Sequence, residues 1–382
     1  MIIVHIDLTG TYNEEMNYQE NLLPRVNVSH GHKVFFITTC YQWKNGYTEE
    51  TRKGRYDLLD GVHLIRIPYK RFCFGLIEKK LRIVTNLYKL LESLAPDIIM
   101  IHCIQTMECY TIIRYVKNHR DVKLFADSHT DFNNSARSFL SREVLHRFFY
   151  KPIAKKLQPY VIKFLCCSYE SIFFFKKMYK IDPEKIEHFP LGGIILSDDE
   201  YKSRRARARL ELGIGENDIL LTHSGKMEKE KKTIELVSAF QSINKGKNIH
   251  LILIGSMDKD VSKAIKVIME KGPNIKYLGW KKGNELINYL CACDLYCQPG
   301  SQSATMQNAA CSRCALLLYP YKSHKYLWNE NVVFYVRNEN EIRSALLSII
   351  NNPFEIEIKR KLSYELALEK LDYNKLASRI YK

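Results

Sequence analysis

The sequence predicts an α/β protein of two domains, each a mostly parallel sheet covered by helices, facing each other across a central cleft. Three observations predict it. The chain has 382 residues, more than one hydrophobic core usually serves. Short apolar runs of strand length alternate with helical patterns, which is how parallel sheets read. The same alternation occurs twice, on either side of a Pro- and Gly-bearing stretch at 188–205.

Taken in order, "MIIVHID" reads as a buried first strand, and "MNYQENLLPRVNVSHG" as the helix after its loop. "HKVFFITT" and "HLIRIP" are strands, "EKKLRIVTNLYKLLESL" a helix, "DIIMIH" and "VKLFADS" strands. The second half opens with strand "DILLTHSG" and helix "KTIELVSAFQSI". It continues with strand "HLILIGS", helix "KAIKVIMEKG", strand "IKYLG" and helix "GNELINYLCAC". Strand "LYCQPG", helix "ATMQNAAC" and strand "LLLYP" complete it. The expected division is residues 1–190, a linker 191–205, residues 206–360, and a C-terminal helix 361–382 packing back toward the first domain. Ligands belong beyond the C-terminal ends of the strands.

Composition is that of a globular protein, 46% apolar and 26% charged. No apolar run reaches the length that spans a bilayer, and the N-terminus carries no secretion pattern, so the expected location is cytoplasmic. The eleven cysteines are scattered. The pair Cys311/Cys314 lacks the second ligand pair a zinc site needs, and reduced, buried thiols are the simpler reading. The net charge is +16, and residues 66–180 hold 21 Lys/Arg against 9 Asp/Glu. Such a block attracts phosphates, of nucleic acid or of an anionic membrane.

The loop after the first strand, "LTGTYNEEMNYQENLL", places Gly10 just before a helix, where backbone can approach a phosphate; a plain tight turn explains it equally. Glu15 and Tyr18 of this loop, with His129, are assigned to the acceptor or the cleft. In "HSGKMEKEKKTIELVSAF", Gly225 follows a strand, Lys226 is next, and Lys231 stands at a helix start. Cations there oppose the helix dipole, which suggests an expected anion; a solvated lysine-rich turn is the alternative. His102 closes "DIIMIH" and His129 follows "KLFADS", both at strand ends, where either a structural or a substrate-facing role fits.

These residues carry a resemblance. Gly225, Lys226 and Lys231 form G-K-x-x-x-x-K, similar to the G-R-x-x-x-x-K-G signature of the family-four GT-B retaining glycosyltransferases (group 1 type). "EKIEHFPLGGI" resembles that family's linker, "PDIIMIH" and "FADSHTD" its two N-terminal histidine segments, and "LILIGS" and "IKYLGWKKGNELINYL" its next strand-loop units. The resemblance implies two Rossmann-like domains and a nucleotide-diphosphate sugar donor on the second. It implies an acceptor on the first, retention at the anomeric carbon, and neither cofactor nor metal. Lys226 and Lys231 would then hold the diphosphate, with Lys226 lacking the fork of the family's Arg. Gly10 would lie near the phosphates, His102 near the sugar, Gly279 and Trp280 near the base. Ser301, Gln302, Ser303, Ala304 and Thr305 would form the donor-sugar loop, at a helix N-terminus. The family's two glutamates, eight residues apart, are missing. Asn308, or by one shift Gln307, stands at the second, and Pro299–Ser303 holds no acid at the first.

The expected activity is hexosyl transfer in cell-surface polysaccharide or lipid-linked glycan synthesis; the missing acids keep an inactive binding homologue as the alternative. Residues 70–92 and 137–163 mix basic and apolar side chains, which suits an anionic membrane face, or a core-packed helix with a solvated lysine face. "KSRRARAR" at 202–209 reads equally as a solvated helix. Nucleic acid is not an expected partner, because no recognition module is present. Asp258-Lys259-Asp260 offers a D-x-D for a metal-dependent transferase, but it falls in the second domain rather than at the centre of a single one.

Overall fold

Each long apolar run of the sequence becomes a central strand of one of two sheets. The computed structural model describes residues 1–14, 16, 18–44, 47–71, 80–243, 248–270, 272 and 274–381. The strands of the first half are β1 (Ile2–Asp7), β2 (Lys33–Thr39), β3 (Tyr41–Lys44), β4 (Tyr47–Glu50), β5 (Gly54–Asp57), β6 (His63–Ile67), β7 (Ile98–His102), β8 (Lys123–Ser128), β9 (Phe164–Cys166) and β10 (Ile186–His188). Those of the second half are β11 (Ile219–Met227), β12 (Ile249–Met257), β13 (Ile275–Tyr277), β14 (Leu295–Gln298), β15 (Ala315–Leu318) and β16 (Val333–Tyr335).

The first sheet runs β10-β9-β8-β7-β1-β2-β6-β5, parallel except at the β5 edge, and β3 and β4 form a separate antiparallel pair. The second runs β13-β12-β11-β14-β15-β16, all parallel. In both, the chain winds outward from one strand and then returns to wind the other way. The reversals fall between β1 and β7, and between β11 and β14. These are the topological switch points at which α/β sheets leave a crevice at their strand C-termini.

The central strands are buried on both faces, hence their unbroken Ile, Val and Leu. In the second sheet Leu295 and Cys297 face one core with Leu253, Leu317 and Phe240, while Tyr296 faces another with Leu316, Leu318 and Trp328. Polar residues inside such strands are the exceptions: His5, His102, Asp127, His223 and Gln298 are all buried.

The chain divides into a unit of Met1–Pro190 with Asn374–Lys382, and a unit of Leu191–Tyr373. Residues 361–373 therefore stay with the second unit. Within 191–205, Ser197 caps a helix Asp198–Leu212 by accepting from the Glu200 amide. The helix expected over 78–94 is corrected. Its described part breaks after Leu81, and only Leu87–Leu94 resumes a helix. Arg82 and Asn86 adopt positive φ. Val84 bridges to Tyr69 and its amide donates to Glu108 Oε1 at 3.0 Å, so the β-branched run Ile83-Val84-Thr85 is held extended. Cys311 and Cys314 are unbridged and buried. Among the described residues no helix is long and apolar enough to cross a membrane.

Candidate functional site

In the second unit the switch point collects the end of β11, the turn after it, and the loop after β14. Gly225 closes β11 with φ 128° and lies opposite Gly255, φ 134°, on β12. A Cβ on Gly255 would sit 2.0 Å from the Gly225 carbonyl oxygen, so the two backbones meet only as glycines. The chain then turns through Lys229–Lys231, and the Lys231 side chain passes over Gly225, its Cε 3.8 Å from where a Cβ would be.

Lys231 is tied to the loop after β14. Its ammonium donates to the carbonyls of Ser301 at 3.1 Å and Gln302 at 2.8 Å. The Ser301 amide donates to the Glu230 carbonyl at 2.8 Å, and Gln298 Nε2 donates to the Ser301 carbonyl at 2.7 Å. Gly300 allows this approach, for a Cβ there would lie 2.2 Å from the Glu230 oxygen. Burial lowers the Lys231 pKa, opposed by the Glu228 charge. Lys226 is exposed and pairs with Glu228, whose hydrogen bond and charge raise its pKa. The two lysines thus have separate partners.

Beneath the loop lies an uncharged polar cluster. Tyr296 Oη is 3.1 Å from Ser224 Oγ and 3.4 Å from Gln298 Oε1, and Ser303 Oγ accepts from the Thr305 amide at 3.3 Å. Ala304 precedes the helix Thr305–Cys311. Gln302 Nε2 donates to Ser323 Oγ at 2.5 Å. His324, next to Ser323, is buried, with Nδ1 2.6 Å from the Tyr319 carbonyl and Nε2 without a partner. Burial holds it at about 4, helped by the Lys231 charge, so it is neutral. Asn308 lies beside Gly193, and Gln307 is buried with its Oε1 unpaired. Gly279 accepts from the Gly255 amide at 2.8 Å, and Trp280 beyond it is exposed.

In the first unit the switch point holds a chain of buried imidazoles. With the Asn27 amide oxygen facing it, His5 donates from Nε2 at 2.8 Å, so its Nδ1 accepts from His102 Nε2 at 3.0 Å. His102 Nδ1 in turn donates to Asp127 Oδ2 at 2.6 Å. Asp127 thus favours the charged form of His102, and its carboxylate also accepts from Gln19 at 3.0 Å. Burial and the His102 charge push His5 down to about 3. Burial opposes the charge on His102 too, but Asp127 outweighs it and raises its pKa. For Asp127, burial would raise the pKa, and His102 lowers it on balance.

Gly10 sits in the turn that ends β1, and its amide donates to Asp7 Oδ1 at 3.1 Å, beside the Thr9 amide at 2.9 Å. That amide is occupied by the turn. His129 follows β8; burial disfavours its charge, while Cys167, Asp127 and Glu20 hold it at about 10. Tyr18 is exposed at the start of helix Gln19–Ser29, and Glu15 lies outside the described residues. His102 is thus brought to Asp127, and Lys231 to Ser301 and Gln302. Asp127, His5, Gln298, Gly300 and His324 are site neighbours that sequence reading missed. The signal for Asp127 and Gln298 was a polar residue at the C-terminal end of an otherwise apolar strand, and for His5 a polar residue inside one.

Residues 204–365, inside the second unit, match the family model of glycosyl transferases group 1. No curated protein matches the sequence. Among solved structures the chain is similar to sucrose-phosphate synthase from Thermosynechococcus elongatus, at TM-score 0.69 and 13% identity over 99% of this chain and 97% of that one. It is similar to Anabaena HepE in complex with UDP-glucose, at TM-score 0.64 and 13% identity over 100% and 98%. It is also similar to WaaG, a glycosyltransferase involved in lipopolysaccharide biosynthesis, at TM-score 0.63 and 14% identity over 99% and 98%. The family match thus covers most of the second unit, and over its whole length the chain shares the GT-B fold of these structures.

Proposed function

We propose that this protein transfers a sugar from a nucleotide-diphosphate donor to a glycan acceptor, with retention of anomeric configuration and without a metal ion. The observation that carries the reading is the Lys231 ammonium, part-buried at the β11/β14 switch point and clamped to a loop of hydroxyls and amides. A diphosphate leaving group gains charge as the glycosidic bond breaks, and a fixed cation in a partly dry site stabilises that charge. Lys226, exposed one residue past Gly225, adds a second cation once it swings from Glu228. Two lysines supply the positive charge that a metal otherwise brings to a diphosphate. On this reading Ser301, Gln302, Ser303 and Thr305 bond the sugar hydroxyls. The donor bound by HepE and the pathway of WaaG support a role in cell-surface glycan assembly; a cytoplasmic location and a lipid-linked acceptor belong to the same proposal.

A second reading, a donor-binding homologue without turnover, is favoured by one feature: residues 298–312 hold no carboxylate. Both are tested together by thermal shift against UDP, GDP, CDP and their sugars, followed by turnover of any binder with wild type and Lys231→Ala. Binding with turnover that Lys231→Ala abolishes supports transfer. Binding without turnover supports the homologue. Turnover unchanged by Lys231→Ala removes the phosphate-site assignment.

A further inference from the structure

Three stretches concentrate positive charge, and the structure separates them. In helix Asp198–Leu212, Arg205 and Arg209 turn inward to bond Asp294, while Arg204 pairs with Glu200 at the surface. The described end of 70–92 closes in helix Leu87–Leu94, which buries Leu87, Leu91 and Leu94 in the ordinary amphipathic way. Residues 137–155 differ. Here the helix Leu140–Tyr150, with i→i+5 hydrogen bonds, runs on into Lys151–Leu157. One side buries His146, Tyr150, Ile153, Ala154 and Leu157 in the first unit's core. The other side is also apolar, yet bare: Phe139, Leu140 and Phe148 are 69%, 70% and 70% exposed, and Phe149 is 47% exposed.

With i→i+5 bonds, residues four and five apart share a face, so 140, 144 and 148 stack with 139 and 149. Cations border that face. Arg147, Lys151 and Lys155 line a depression beside Phe148, and in 137–157 six Lys/Arg stand against one carboxylate, Glu143, which both Arg142 and Arg147 already engage. Large apolar side chains gathered at this exposure mark an interaction surface.

We propose that this face docks the protein on an anionic lipid bilayer. Phe139, Leu140, Phe148 and Phe149 enter the headgroup–acyl boundary, and Arg147 and Lys151 meet lipid phosphates. Charge complementarity selects the occupant: a second copy of the chain would set these cations against their own kind, and nucleic acid would leave Leu140 and Val144 unburied. The proposal does not rest on the transferase reading.

The test is flotation of the full chain with vesicles of 3:1 phosphatidylcholine:phosphatidylglycerol and of phosphatidylcholine alone, at about 50 mM and about 500 mM NaCl. Binding to the anionic vesicles that falls at high salt is expected. Phe148→Ser/Phe149→Ser should lower partitioning at least about tenfold, and Arg147→Gln/Lys151→Gln about fivefold per charge, each with an unchanged circular-dichroism melt. Should the first pair fail to fold, Phe139→Ser/Leu140→Ser takes its place. Absent or lipid-blind binding, or binding unmoved by folded variants, overturns the proposal. So does a dimer, or an RNA complex, that the phenylalanine variants dissolve while vesicle binding is absent.

Discussion

Asp127 is the residue on which the first unit's polar centre depends. Its carboxylate is sealed beneath His102 and Gln19, and the charge it carries favours the charged form of His102. A raised His102 pKa gives stability that is present below the unfolded value of about 6.5 and lost as pH climbs through the folded one. A lowered Asp127 pKa gives stability present above about 3.9 and lost as pH falls through its folded one. The pair therefore stabilises most across the acidic-to-neutral range between those limits. Asp127→Asn should move the His102 titration, followed by NMR of its ring Cε1–H, below the wild-type midpoint. It should also cost about 3–5 kcal/mol in urea unfolding, because an imidazolium is left without its counter-charge. An unmoved His102 titration would remove the ion-pair assignment. His102 itself was legible from its place at a strand end. Its partner was not, because Asp127, 25 residues away, becomes a neighbour only through the β7–β8 pairing. Gly300 escaped notice for a related reason: the sequence shows a Pro-Gly turn, while its need for glycine comes from the Glu230 backbone pressed against it.

At the scale of elements, the helix Asp198–Leu212 shows how a basic run can be structural. Asp294, buried at the start of β14, receives Arg205 at 2.6 Å, Arg209 at 3.2 Å and the Leu220 amide at 2.8 Å, with Arg360 at 3.6 Å. Arg209 also caps the Ala292 and Asp218 carbonyls, at 2.9 and 2.7 Å. One acid thus fastens this helix, the C-terminal helix Phe354–Lys370 and β14 together. Asp294→Asn should destabilise the second unit by about 3–5 kcal/mol in denaturant melts. Arg204→Ala, whose Glu200 bridge is exposed, should cost about 1 kcal/mol or less. Equal costs would mean that the Asp294 cluster is no more than surface pairing. The central strands were legible because a strand buried on both faces needs an unbroken apolar run. The pieces β3, β4, β5, β9 and β10 were not, being short or half-exposed. The break at Arg82–Asn86 was hidden for another reason: Leu81, Val84 and Leu87 keep a helical spacing, while Thr106, Gln105 and Glu108, distant in sequence, bind this segment in extended form.

Across the whole molecule, the chain leaves the first unit at Pro190 and rejoins it at Asn374, so the first unit is closed by a segment far away in sequence. Leu376, Ala377 and Ile380 are buried, Tyr381 Oη bonds His30, and Arg379 bonds Glu187 and the His188 carbonyl beside β10. Burying a leucine or isoleucine side chain contributes about 1.5–3 kcal/mol. Deleting 374–382 should therefore cost the first unit about 4 kcal/mol, measured against a stability of about 5–15 kcal/mol for a typical domain. Leu191–Tyr373 keeps its own core and its Asp294 cluster, so it should be untouched. Scanning calorimetry of the deleted chain should then resolve a transition moved to lower temperature from one that stays in place, the two units unfolding separately. Hydrogen exchange should show the lost protection in helix Gln19–Ser29, whose C-terminal His30 loses its Tyr381 contact, and at β10. A uniform loss across both units, or none in either, would mean that residues 374–382 do not close the first unit.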